Sequence, residues 1–117
     1  MNIFIICTVR NATEEYKKQL EDYVSKLEID GHKVHLPHRD TNQQGRGIDI
    51  CKQNRKAIEL SDEVHLFYSA ESQGTHFDMG VAFALRKTIK VIKNIELKQG
   101  KSFARMAIEW QDIGAHS

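Results

Sequence analysis

Near the start of the chain, Ile3-Phe4-Ile5-Ile6-Cys7-Thr8-Val9 runs without a single charged or amide side chain and is rich in β-branched residues. A strand with one wet face alternates apolar and polar residues. An uninterrupted run suits a strand covered on both faces, as in a parallel sheet between helices. The run ends at the polar pair Arg10-Asn11, a loop signal.

From there the chain alternates helix and strand. Thr13 is a plausible N-cap, with Glu14 and Glu15 where the helix dipole favours acids. Tyr16, Leu20, Tyr23, Val24 and Leu27 recur at helical spacing up to Gly31, a fitting stop. Residues 33–36 form a short second strand that Pro37, the only proline, ends. Residues 38–47 are polar and read as the longest loop, a place where function often resides. A second helix is expected over residues 48–60, with Ile50, Cys51, Ala57, Ile58 and Leu60 inward. A third strand is expected over residues 64–68 and a loop over 69–74. Residues 75–86 read as a helix apolar on nearly all sides, hence deeply buried or at a subunit contact. A fourth strand over 89–92 and a last amphipathic helix marked by Phe103, Met106, Ala107 and Trp110 complete the order β-α-β-α-β-α-β-α. This predicts an α/β fold: a three-layer α/β/α sandwich around a parallel, Rossmann- or flavodoxin-like sheet of four to five strands. Ligands of such sheets bind beyond the carboxyl ends of the strands, so residues 8–11, 38–47 and 69–78 should converge.

The bulk properties narrow the class. The 117 residues suit one domain, expected to span the whole of 1–117. A net charge of +1, with acids and bases interspersed, argues against a nucleic-acid polymer as partner. Two isolated cysteines, Cys7 and Cys51, suit a reducing cytoplasm, and the apolar start is one strand long, with no signal-peptide or membrane-span character.

The sharpest local feature is Ser72-Gln73-Gly74-Thr75-His76-Phe77-Asp78-Met79-Gly80, joining strand to helix. Ser72 and Thr75 offer hydroxyls, Gly74 admits close approach to the backbone, and helix-start amides favour an anion. Asp78 in the first turn would reach the same crevice, while Gly80 would permit tight packing against a neighbour. Thr75-x-x-Asp78 also fits a capping box, which explains both residues with no ligand at all. Arg10 can make a bidentate contact to phosphate or simply be a solvated arginine. His32, His35 and His38 read as solvated or hydrogen-bonded rather than as a metal site, and His76 as a contact to a base or ribose. No metal and no cofactor is expected.

The layout over roughly residues 1–95 resembles the nucleoside 2-deoxyribosyltransferase-like superfamily, which includes the nucleoside 5′-monophosphate N-glycosidases. Ile6 through Asn11 looks like the glycosidases' nucleotide-binding Ser-Ile-Arg-Gly loop. Asn54 through Val64 looks like the stretch running from an acidic residue to Ala-Asp-Val-Val. Ser72-x-Gly74-Thr75-x-x-Asp78-x-Gly80 resembles Ser-x-Gly-(Thr or Val)-x-x-Glu-x-Gly, the most specific match. The resemblance implies that Asp78 is the nucleophile attacking the anomeric carbon and that Asn54 occupies the place of the second acid. It further implies that Thr8, Arg10, Asn11, Ser72, Gly74, Thr75 and Tyr68 bind substrate, Ser72 and Arg10 holding a 5′-phosphate or 5′-hydroxyl. Two departures stand out: aspartate for the nucleophilic glutamate, one methylene shorter, and asparagine for the acid, which cannot protonate a leaving group; Glu71 is an alternative acid. The expected function is cleavage or exchange of an N-glycosidic bond in a nucleoside or nucleoside 5′-monophosphate by a homodimer or larger homo-oligomer. The alternatives are a nucleotide-binding module without turnover and a TIR-like NAD glycohydrolase.

Overall fold

A computed structural model describes residues 1–92 and 100–114. β1 (Asn2–Ile6), β2 (Lys33–His35), β3 (Glu63–Leu66) and β4 (Thr88–Val91) form a parallel sheet in the order β2-β1-β3-β4. Between them lie α1 (Glu14–Ile29), the short α2 (Pro37–Asp40), α3 (Gly47–Glu59) and α4 (Gln73–Ala84), and α5 (Phe103–Ile113) follows β4. The architecture is the expected three-layer α/β/α arrangement, with four strands.

The opening run explains itself once placed. β1 is central, and its side chains alternate between two cores. Ile3, Ile5 and Cys7 pack with Leu20 and Val24 of α1, while Phe4 and Ile6 pack with Ile58 of α3, Met79 and Ala82 of α4, and Trp110 of α5. Burying each of these large side chains contributes about 1.5–3 kcal/mol. Thr13 caps α1 by accepting from the Tyr16 amide, and Gly31 takes φ +94° just past its end, as expected.

Several expectations need correction. Pro37 does end β2, but it also sets the first turn of α2, where its fixed φ and missing N–H cost nothing, so the supposed loop begins as helix. Leu60 is 61% exposed rather than inward, since α3 has already reached its C-cap there. α4 starts earlier than its pattern suggests: Ser72, not Thr75, is the N-cap, its hydroxyl accepting from the Thr75 amide. The Thr75–Asp78 capping box therefore does not form, and Asp78 sits in the second turn. Nor is α4 buried all round. Phe77 and Phe83 are about half exposed, and a Cβ at Gly80 would meet nothing within 4 Å, so Gly80 serves no packing contact within the described residues. Trp110 is core, whereas Phe103 is exposed. Among the described residues, no helix is long and apolar enough to cross a membrane.

Candidate active site

β1 and β3 are neighbours whose chains leave in opposite directions: β1 leads through α1 to β2, and β3 leads through α4 to β4. Their carboxyl ends therefore splay apart and open a crevice, the topological switch point of such sheets. Its volume is about 310 Å³, and its walls include Thr8, Asn11, Thr13, Tyr16, Tyr68 and Ser69. Asn11 turns the chain with φ +60°, a left-handed conformation that asparagine tolerates better than most residues. Tyr16 from α1 reaches back, and the Thr8 amide points to its hydroxyl at 3.4 Å.

Tyr68 is held by the start of α4. The His76 Nδ1–H donates to the Ser72 carbonyl at 2.7 Å, which leaves Nε2 to accept from the Tyr68 hydroxyl at 3.0 Å. The two rings meet edge to face at 5.3 Å. Ser72 keeps its hydroxyl proton free to donate, because its oxygen acts as acceptor toward Thr75. At Gly74 an added Cβ would meet nothing within 4 Å, so the fold itself does not require glycine there. Thr75 is fully buried, and its hydroxyl has no partner among the described residues. Glu71 stands exposed on the loop before α4.

A second group of side chains is buried and does not line this crevice. Asp78, only 5% exposed, accepts from the Asn54 side-chain amide at 3.4 Å, a long hydrogen bond. Burial pushes the Asp78 carboxyl up to about 7, and the Asn54 contact works against that rise. The Cys7 thiol is pushed up to about 12, first by burial and then by the charge of Asp78. Asn54 is itself tethered: its Oδ1 accepts from the Thr41 hydroxyl at 2.7 Å, and the Thr41 oxygen is 2.8 Å from Nε2 of His35.

Among the residues singled out in the sequence, Thr8, Asn11 and Tyr68 therefore share the crevice, Ser72, Gly74 and Thr75 form the start of α4, and Asn54 bonds Asp78. Cys7 links the groups: it precedes Thr8 along the chain, and its thiol feels the Asp78 charge. Arg10 is exposed and makes no hydrogen bond or ion pair among the described residues, so its placement gives it no fixed partner. Thr41 and His35 join this group without any signal in the sequence. The helical turn of α2 between them, which the sequence reads as loop, brings them together. His38 and His32 do form hydrogen bonds, to Glu21 and to the amino terminus.

A central parallel sheet that opens a crevice at its switch point defines the class of doubly wound α/β proteins, which take their ligands there. Within that class the fold is that of the nucleoside 2-deoxyribosyltransferase-like superfamily, as the sequence motifs suggest. The chain is similar to the CMP N-glycosidase BcmB of Clostridium botulinum, with a TM-score of 0.62, 27% identity, and coverage of 78% of this chain and 70% of that one. It also shares its fold with a 2-deoxyribosyltransferase of the psychrotolerant bacterium Bacillus psychrosaccharolyticus, with a TM-score of 0.67, 18% identity, and coverage of 82% and 77%. No family model matches the chain, and no curated protein does.

Proposed function

We propose that the protein breaks the N-glycosidic bond of a nucleoside or nucleoside 5′-monophosphate, with Asp78 as nucleophile. The observation that carries this reading is a nearly buried carboxylate, shifted to about 7, whose charge acts on Cys7, the neighbour of Thr8 in the crevice wall. The ionised oxygen attacks the anomeric carbon, and the electron pair of the C–N bond leaves with the base. The resulting glycosyl ester is opened by water in hydrolysis or by a second base in exchange. Asn54 orients Asp78 but cannot donate the proton that a departing base takes up, so that proton comes from Glu71 or from solvent. Thr8, Asn11 and Tyr68 bind the nucleoside, the Tyr68 ring stacking on the base. The unpaired Arg10 guanidinium, the Ser72 hydroxyl and the first amides of α4 favour a 5′-phosphate.

The second reading, a nucleotide-binding module without turnover, draws support from Asn54 standing where a general acid would be. Incubation with a panel of nucleosides, nucleoside monophosphates and NAD, with chromatography for released base, separates the two. Release that disappears in Asp78→Ala while ligand binding persists supports the enzyme. Saturable binding without any release supports the module, and neither binding nor release ends both readings.

The proposed enzyme is also a homo-oligomer. Phe77, Phe83 and Leu85 expose 49%, 58% and 40% of their surfaces on α4 and its C-cap, next to the open Gly80. Light scattering after size exclusion tests this; a monomer at micromolar concentration would refute it.

A further inference from the structure

We propose that His35 and Thr41 are positioning residues for Asp78, forming a chain of hydrogen bonds that sets which end of the Asn54 amide faces the carboxylate. The catalytic consequence rests on Asp78 being the nucleophile; the chain itself does not.

The sense of each bond can be worked out. Thr41 spends its only hydroxyl proton on Asn54 Oδ1 at 2.7 Å, so the 2.8 Å contact with His35 must be donated by the ring Nε2–H. Asn54 then presents Nδ2 to Asp78 at 3.4 Å. All three bonds donate toward the carboxylate, and bonds aligned this way strengthen one another. An ionised carboxylate can only accept, so this sense matches charged Asp78.

The same atoms support one other arrangement in which every proton, that of a protonated Asp78 included, is donated within the chain. A protonated Asp78 donates to Oδ1 of a turned amide, Nδ2 donates to Thr41, and the Thr41 hydroxyl donates to His35 in its other tautomer. Thr41, Asn54 and Asp78 are 5%, 8% and 5% exposed, which leaves little access for water to satisfy a broken link. The His35 ring cannot easily turn away, because it lies stacked on Phe4 at 5.2 Å and 11°. The chain thus has two discrete states, and the tautomer of His35 reports the charge on Asp78. The ionisable groups around it are Cys7 from the end of β1, which feels Asp78, and Asp40 and Arg39 from α2, which act on His35 in opposite directions. Burial is the largest influence on His35 and keeps the ring neutral.

The test is a titration of the Asp78 carboxyl carbon by NMR in the wild type, Thr41→Val and Thr41→Ser. Valine removes the relay and should move the midpoint upward by about one pH unit, a tenfold loss of ionised carboxylate below it. Serine keeps the hydroxyl and should leave the midpoint in place. Nitrogen shifts of His35 should show the Nε2–H tautomer at high pH and the Nδ1–H tautomer once Asp78 is protonated. If Thr41→Val does not fold, His35→Phe keeps the stacking and removes only the terminal donor, with a smaller upward shift expected. An Asp78 midpoint unchanged in every folded variant, or a His35 tautomer indifferent to Asp78, overturns the proposal. In an active protein, the acid limb of kcat/KM should move with the NMR midpoint. If no turnover is found, the nucleophile reading fails while the NMR result still decides the chain.

Discussion

Two of the buried polar groups that flank the sheet are built to opposite ends. On the α1 side, His65 is 2% exposed and fully engaged: the Tyr23 hydroxyl donates to Nδ1 at 2.6 Å, and Nε2–H donates to Glu63 at 2.6 Å. On the other side, Asp78 is comparably buried but has, among the described residues, only the 3.4 Å contact from Asn54. A buried charge is costly unless well paired. The first group has spent its bonding capacity inside the fold, and the second holds an under-solvated carboxylate in reserve. This difference in satisfaction, rather than burial alone, marks which polar cluster is a candidate for chemistry.

The contrast breaks most visibly at Asp78. Asp78→Asn should cut base release roughly a thousandfold or more while the fold persists. Stability should respond with a definite sign. The folded Asp78 carboxyl lies near 7, above its ordinary 3.8, so the folded state binds the extra proton between those values. Its contribution is intact below the lower value and is lost as pH rises through about 7, a ceiling of about 4 kcal/mol. The melting temperature of Asp78→Asn should therefore pull ahead of the wild type as pH climbs from about 4 to about 8. Parallel melting curves across that range would place Asp78 in a better-paired environment than the structure shows.

His65→Ala should do the reverse: destabilise by about 3 kcal/mol or more, leaving Glu63 and Tyr23 without their partner, and spare the turnover of the protein that remains folded. Burial lowers the His65 pKa, so in the wild type its contribution holds above about 6.5 and fades as pH falls below that. The two groups thus tilt the stability profile in opposite directions, and denaturant melts of each variant against pH separate them. The smallest effect belongs to Arg10→Ala. With no partner among the described residues it should change stability by less than about 0.5 kcal/mol, yet raise KM for a 5′-monophosphate about tenfold relative to the matching nucleoside. Equal KM changes for both would deny Arg10 its phosphate.

Much of this architecture is readable from side-chain pattern. An uninterrupted apolar strand demands cover on both faces, and β1 receives it; Thr13 and Gly31 bracket α1 by local chemistry that needs no tertiary help. The start of α4 is less legible. Thr75-x-x-Asp78 has the spacing of a capping box, yet the Ser72 hydroxyl takes the cap by accepting from the Thr75 amide. Long-range burial decides, drawing Asp78 inward to Asn54 and leaving the cap to Ser72. Likewise Pro37 both stops a strand and starts a helix, and only the second role carries Thr41 to Asn54. The site residues most readily named from sequence are those in loops at strand ends. The supporting atoms of His35 and Thr41 depend on a fold-level juxtaposition that no residue spacing announces.

Cys7 has a practical consequence of its own. With its thiol held near 12, roughly one molecule in ten thousand carries a thiolate there at pH 8, and the sulfur is sealed from reagents. Cys51 is only half-buried and should alkylate first. Slow labelling of Cys7 would then act as a clock for breathing at the carboxyl end of the central strand, timing how often the buried core around it opens to solvent.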